Sequence, residues 1–315
     1  MKYLNLFILM SVVIFFGCEK YDDYTTDFDY SIVYFALQNP VRVVISNDSD
    51  MSIEVGVALG GKRKNTVKEV VNFKVEPSLL TNHALFTDGV LPPFTLLPSD
   101  YYTLSNDNQM VIEPGSFIGS VKVSLDPQKF VADTNAICNY YALPLLITES
   151  TTDSILSWKI DPVTGDTLSK PKDYTIVVIR YQNPYHGIYY HKGLDIAYDG
   201  ENAVDTATYS NPELVKNEKW NVFTSAGDKV KAYGLGRHIT SGENYMELKI
   251  NGSSVSLEAA QFDGFSNISI DEGSYDKANR SFYLNYHYRA DVSGYVHHVF
   301  DTLIFRNEEI GFETW

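Results

Sequence analysis

Cysteine is almost missing from this chain: of its 315 residues only Cys18 and Cys138 carry a thiol. A disulfide-rich scaffold is thereby excluded, and nothing in the spacing favours pairing the two. Cys138 lies in "AICNYY" among apolar and aromatic residues, where a buried, unreactive thiol is expected. Positive charge is scarce too, with 25 Lys and Arg against 40 Asp and Glu and a net charge of −15. That balance argues against nucleic acid, whose binding rewards clustered lysine and arginine through counterion release. It also argues against a protein lying on anionic lipid. Sustained helical periodicity is absent. The longest apolar run, Leu4 to Phe16, falls short of the roughly 20 residues a membrane-spanning helix needs. There is no Gly-rich phosphate loop and no G-x-S-x-G elbow.

What is present begins at the N-terminus. Lys2, the apolar run and Gly17 have the proportions of a signal peptide over residues 1–17. Cys18 follows directly, and the stretch "FFGC" resembles the lipobox of bacterial lipoproteins, although Phe15 and Phe16 are bulkier than is usual there. The resemblance implies that Cys18 is acylated and anchors the chain to a membrane. Residues 18–30 then form an acidic tether, "EKYDDYTTDFDY" after the cysteine, which self-repulsion keeps extended. An acidic run at this place is similar to the surface-export signal of Bacteroidetes lipoproteins. The expected location is therefore the outer membrane with the protein at the cell surface, the alternative being a tether on the periplasmic face.

The ordered stretches alternate with period two. "SIEVGVAL" puts Ile53, Val55, Val57 and Leu59 on one face, "VNFKVEP" does so with Val71, Phe73 and Val75, and "SVKVSLD" with Val121, Val123 and Leu125. "TIVVIRY" reads as a strand buried on both faces. About seven such strands over residues 31–183 predict an Ig-like β-sandwich. Asn183-Pro184 and Gly187 mark a boundary. Residues 184–315 read as an antiparallel meander with turns at Asn251-Gly252 and "ADVSG", which closes into a barrel because closure removes exposed edges. Only "NPELVKNE" (211–218) reads as a short helix, and Trp315 is expected to cover the barrel. The fold class is all-β, a sandwich followed by a barrel.

Five stretches carry a family likeness: "VALGGKRKN", "LPSDYYTLSNDNQMVIEPGSFIGSVKVSLD", "YYALPLLITESTTDSIL", "DYTIVVIRYQNPYHGIYYHKG" and "LIFR". They resemble a family of Bacteroidetes surface lipoproteins encoded in polysaccharide-utilisation loci. The resemblance implies an N-terminal Ig-like domain joined to a C-terminal calycin-like (lipocalin-type) β-barrel, and a glycan-handling accessory role. It supplies no catalytic motif and no cofactor.

Several constellations deserve weighing for chemistry. His186 and His191 are five apart, which suits neither one face of a helix nor one face of a strand, so packing at a domain junction is expected. If "ADVSG" is a hairpin turn, His287 faces His297 across two strands at about 5 Å. With Asp301 that pair is a candidate for a divalent metal, or for hydrogen bonds alone. "FDGFSNISIDEG" is similar to the acid-spaced strand of family-18 chitinases but has Ser266 and Ile268 where that motif needs aspartates. The 23 Tyr and 17 Phe suit strands and equally suit sugar faces. Candidate ligand contacts are Tyr189, Tyr190, Trp220, Tyr283 and Tyr295, with Asp195, Asn285 and Arg289 as polar partners; core packing is the competing role for each. The expected function is non-catalytic glycan binding at the cell surface. The alternatives are a docking subunit that binds an outer-membrane transporter or another lipoprotein, and a hydrolase with an unrecognised carboxylate pair.

Overall fold

A computed structural model describes residues 28, 30–45, 51–86, 94–240 and 242–308. The expected leader at 1–17, the candidate anchor Cys18, the expected tether up to residue 27 and Trp315 lie outside the described residues.

The chain opens with β1 (Ile32–Phe35), β2 (Val41–Ile45), β3 (Ser52–Gly60) and β4 (Glu69–Val75). Next come β5 (Thr95–Leu96), β6 (Tyr102–Leu104), β7 (Gln109–Ile112) and β8 (Ile118–Leu125). After them follow β9 (Tyr141–Ser150), β10 (Ser154–Ile155), β11 (Lys159–Ile160), β12 (Thr167–Ser169) and β13 (Tyr174–Gln182). Two main sheets result, one ordered β10-β1-β3-β8-β6 and the other β2-β13-β9-β4-β7, with β5 beside β9, while β11 and β12 pair as a separate hairpin. The alternation in β3 and β8 does what the sequence predicts. Ile53, Val55, Val57 and Leu59 pack with Val121, Val123 and Leu125 against Val71, Phe73, Leu143 and Ile179 of the opposite sheet. β13 is buried on both faces apart from the half-buried Arg180, which is why it reads as a continuous apolar run. More strands form than the alternation suggests, because two- and three-residue pieces such as β5, β10 and β12 leave no periodic signal. The sequence also hides a helix, α1 (Pro127–Ala132), which Asp126 caps through the amides of Gln128 and Lys129.

The chain enters and leaves the sandwich at opposite poles. Ser31 donates through its amide and hydroxyl to Asp153, both at 2.7 Å, in the turn beyond β9. β13 runs antiparallel to β9 and so carries the chain away from that turn. Its nine residues span about 30 Å and end at the junction with the second half.

The second half is β14 (Gly187–Asp199), β15 (Asn202–Tyr209), β16 (Glu218–Ala226), β17 (Lys229–Ala232), β18 (Gly234–Leu235) and β19 (His238–Ile239). It continues as β20 (Tyr245–Asn251), β21 (Ser254–Gln261), β22 (Phe265–Asp276), β23 (Ser281–Ala290) and β24 (Val296–Asn307). Strands β14-β16-β17-β20-β21-β22-β23-β24 form a circuit that β14 and β24 close, from Ile188 opposite Asn307 to Tyr198 opposite Val296. The expected closed antiparallel barrel is thus observed. β21 meets β22 through a single bridge, Ser254 to Ser274. β15 is an added strand on the far half of β14, and β18 and β19 form a small separate hairpin. "NPELVKNE" is not an α-helix but one 3-10 turn at Leu214–Lys216; the Asn217 side chain bonds the carbonyls of Asn211 and Leu214 and ends it. Cys138 is exposed rather than buried, because it follows the 3-10 turn Thr134–Ile137 at the surface, and Ala136 takes the inward position.

Candidate functional site

The barrel interior is filled. One end is apolar, built from Tyr189, Trp220, Val222, Leu248, Phe282 and Leu303. The other end holds a polar layer around two buried carboxylates. Asp195 on β14 accepts from His297 Nδ1 at 2.7 Å and from the Tyr288 hydroxyl at 2.8 Å, and Arg237 Nε lies 3.3 Å away. Asp301 on β24 accepts from the hydroxyls of Tyr209 at 2.6 Å and Tyr286 at 2.7 Å. His191 Nε2 comes within 2.9 Å of Asp301 but out of line, so the two touch without a well-formed hydrogen bond. Instead the His191 ring stacks on Trp220, with ring centres 4.0 Å apart.

Such a layer has clear electrostatic consequences. Burial raises the Asp195 pKa, but the hydrogen bonds from Arg237, His297 and Tyr288 outweigh it and hold the carboxyl below its ordinary range. Burial and the nearby Asp301 push the Tyr286 hydroxyl well above its ordinary value, so it stays a donor. Gly236, in the left-handed region at φ +53°, brings its amide 2.5 Å from that same hydroxyl. Each oxygen of the two carboxylates thus accepts at least one hydrogen bond from a buried or half-buried side chain.

Open space lies elsewhere, where the barrel meets the sandwich. A cleft of about 980 Å³ runs between β13 and the barrel end, lined by Tyr181, Tyr185, His186, Tyr275, Lys277 and Arg280 among others. Its walls are tied together. Asn183 donates its amide N–H to Thr224 Oγ1 at 3.0 Å, and its side chain donates to the carbonyls of Ala226 at 3.0 Å and Lys229 at 2.8 Å. His186 stacks on Phe223 and bridges Gln182 and Thr224. Burial lowers its pKa to about 4, with Arg180 adding to the effect, so the ring is neutral near pH 7. On the barrel side, Tyr185 and Tyr275 meet edge to face at 4.9 Å. Arg280 lies over the Phe305 ring at 3.4 Å and donates to the Pro184 carbonyl, which fixes its guanidinium at the rim. Asp276 accepts from the amides of Ala278 and Asn279 and shapes the turn that carries the exposed Lys277.

The residues singled out from sequence are scattered by this architecture. Tyr189 and Trp220 are fully buried core residues. The other candidates do not gather into one pocket either. Tyr283, Asn285 and Arg289 share the outer face of β23, and Tyr190 lies outward on β14 beneath Arg306. Tyr295 sits in the turn before β24. The expected pairing of His287 with His297 is corrected: His287 stands opposite His298, whereas His297 lies opposite Tyr288 and turns inward to Asp195. Five residues after Ala290 precede β24, and the register they set moves the histidine facing His287 by one position, hence to the other face. Among the described residues no group of three or more His, Cys, Asp or Glu is arranged to hold a metal ion. Sequence reasoning missed Tyr185, Tyr275 and Arg280; the aromatic density around "NPYHGIYY" was a signal for Tyr185 alone.

A family described as a "-like, N-terminal domain" matches residues 25–154. No curated protein matches the chain. Among solved structures, a structural-genomics protein of unknown function from Bacteroides ovatus is 24% identical, with a TM-score of 0.72 over 90% of this chain and 97% of that one. A second Bacteroides ovatus protein of unknown function is 12% identical, with a TM-score of 0.45 over 90% and 98% of the two chains. An auxiliary nutrient binding protein from Bacteroides thetaiotaomicron is 16% identical, with a TM-score of 0.41 over 85% and 90%. The first of these likenesses extends over both halves, so the chain shares its whole two-part fold with a Bacteroides protein.

Proposed function

We propose that the protein is a non-catalytic glycan-binding lipoprotein of a polysaccharide-uptake system, anchored through Cys18 and displayed at the cell surface. The observation that carries this reading is the cleft at the junction, an open, braced concavity with the half-buried Tyr185 and a fixed guanidinium at its edge, beside a barrel packed with core side chains. Sugars need apolar faces for their C–H surfaces and planar polar groups for their hydroxyls, and Tyr185, backed by the buried Tyr275, offers the first while Arg280 offers the second. In this reading residues 31–183 are a spacer. Because the chain enters the sandwich at the pole away from the barrel, the cleft is carried about 30 Å from the tether. Individually weak sites suffice, since many copies on one membrane raise the effective concentration. Affinity-gel electrophoresis against soluble polysaccharides, followed by a check of glycan size, tests it. Retardation without cleavage, reduced by Tyr185→Ala, supports the reading; cleavage or no retardation overturns it.

One observation favours the docking alternative. The β11–β12 hairpin and the residue before it expose four large apolar side chains, Trp158, Ile160, Val163 and Leu168, a composition suited to a protein partner. Crosslinking in outer membranes, compared with a Trp158→Ser, Leu168→Ser variant, separates that role from sugar capture.

A further inference from the structure

The outer wall of the barrel carries a second polar constellation, remote in role from the cleft. β23 and β24 pair His287 directly with His298, and the alternation that sends Tyr286, Tyr288, His297 and Val299 inward turns both of these rings outward. Their ring centres are 6.0 Å apart with the planes tilted by 34°. On the neighbouring β22, Asp271 places its two carboxylate oxygens 3.0 and 3.1 Å from His287 Nδ1. An ionised carboxylate only accepts, so Nδ1 carries a hydrogen, and in the neutral ring Nε2 is the nitrogen with the lone pair. His298 is held from the other side by the edge-on ring of Tyr198, 5.2 Å away.

This is the arrangement a metal-binding imidazole requires. Ligating histidines characteristically donate their second nitrogen to a carboxylate, which fixes the tautomer and raises ligand basicity. With N–metal bonds of about 2.1 Å, one ion shared by two imidazoles holds the ring centres roughly 5–6 Å apart. The observed separation therefore needs little more than a side-chain rotation. Arg289, on the same face, does not crowd the site, because its guanidinium leans over the hairpin turn at Gly294.

We propose that His287 and His298 form a divalent-metal site on the outer wall of the barrel, with Asp271 as the positioning residue for His287. Two imidazoles select borderline ions such as Zn²⁺, Ni²⁺ or Cu²⁺ over the oxygen-seeking Mg²⁺ and Ca²⁺. Two protein ligands leave the remaining coordination positions to water or to oxygen donors of whatever approaches this wall. The proposal does not depend on glycan binding.

The test is calorimetric titration of the chelator-treated chain with Ni²⁺, Zn²⁺ and Mg²⁺. The expected result is one saturable equivalent for Ni²⁺ and Zn²⁺ and none for Mg²⁺. His287→Asn and His298→Asn should each abolish it, and both positions reach solvent, so folding is checked by circular dichroism in the same samples. Asp271→Asn should weaken binding about 10- to 100-fold. As a second readout, substoichiometric Cu²⁺ should broaden the NMR signals of His287 and His298 before those of the other histidines. Absence of a saturable equivalent, or binding that persists in either histidine variant, would overturn the site; unchanged affinity in Asp271→Asn would overturn the positioning role.

Discussion

Gly234 lies flat against the indole of Trp220, so close that a β-carbon on the glycine would overlap the ring. The contact couples the small β18–β19 hairpin to the fully buried tryptophan at the barrel core. It also identifies Trp220 as structural.

The first prediction follows from that contact. Gly234→Ala should destabilise the protein by about 1–3 kcal/mol through overpacking. Trp220→Ala should cost about 3–5 kcal/mol through the cavity it leaves. Urea denaturation checks both. A Gly234→Ala protein with an unchanged midpoint would mean the hairpin is free to move off the ring.

Tyr286 supports the buried polar layer by donating to Asp301 and accepting from the Gly236 amide. Tyr286→Phe keeps the ring but strands the Gly236 amide and removes the donor to Asp301 Oδ2, so a loss of about 1–3 kcal/mol is expected. The change leaves the surface intact, and glycan retardation in the affinity gel should survive at temperatures where the variant is folded.

His186 makes the junction sensitive to acid. Its folded pKa of about 4 lies below the ordinary 6.5, so between those values the unfolded chain binds a proton that the folded chain does not. Its contribution is complete above pH 6.5 and falls away as pH drops toward 4, a loss of about 3 kcal/mol. Stability measured against pH in wild type and His186→Asn should diverge within that window. Parallel curves would contradict the buried, neutral ring.

Much of the fold was legible in the sequence because strands have a period. Ile53, Val55, Val57 and Leu59 alternate cleanly and are all buried, and the unbroken run in β13 matches burial on both faces. The site was less legible, for reasons that are also physical. Tyr189 and Tyr190 are chemically alike neighbours on one strand, and only the closed barrel decides that the first points inward. Asp195 and Asp301 belong to adjacent strands far apart in sequence, so nothing local announces that they share one buried layer. The His287 register turned on the length of a single turn. Cys138 had apolar neighbours, but a 3-10 turn presents it to solvent.

A fourth prediction separates recognition from folding. Tyr185→Ala should lower glycan affinity by roughly tenfold, about 1.4 kcal/mol, measured under conditions where the variant is folded, since Tyr185 is half-buried at the cleft and also packs on Tyr275. Tyr283→Ala, on the outer wall, should leave affinity unchanged. The reverse pattern would move the sugar site from the junction to the outer face of β23.

The most direct measurement is the affinity-gel screen of residues 19–315 against plant and host polysaccharides, with wild type and Tyr185→Ala side by side and the glycans sized afterwards. The account predicts retardation of wild type by at least one polysaccharide, weaker retardation of the variant, and glycans of unchanged length. Equal mobility of both proteins in every gel, or shortened glycans, would contradict it.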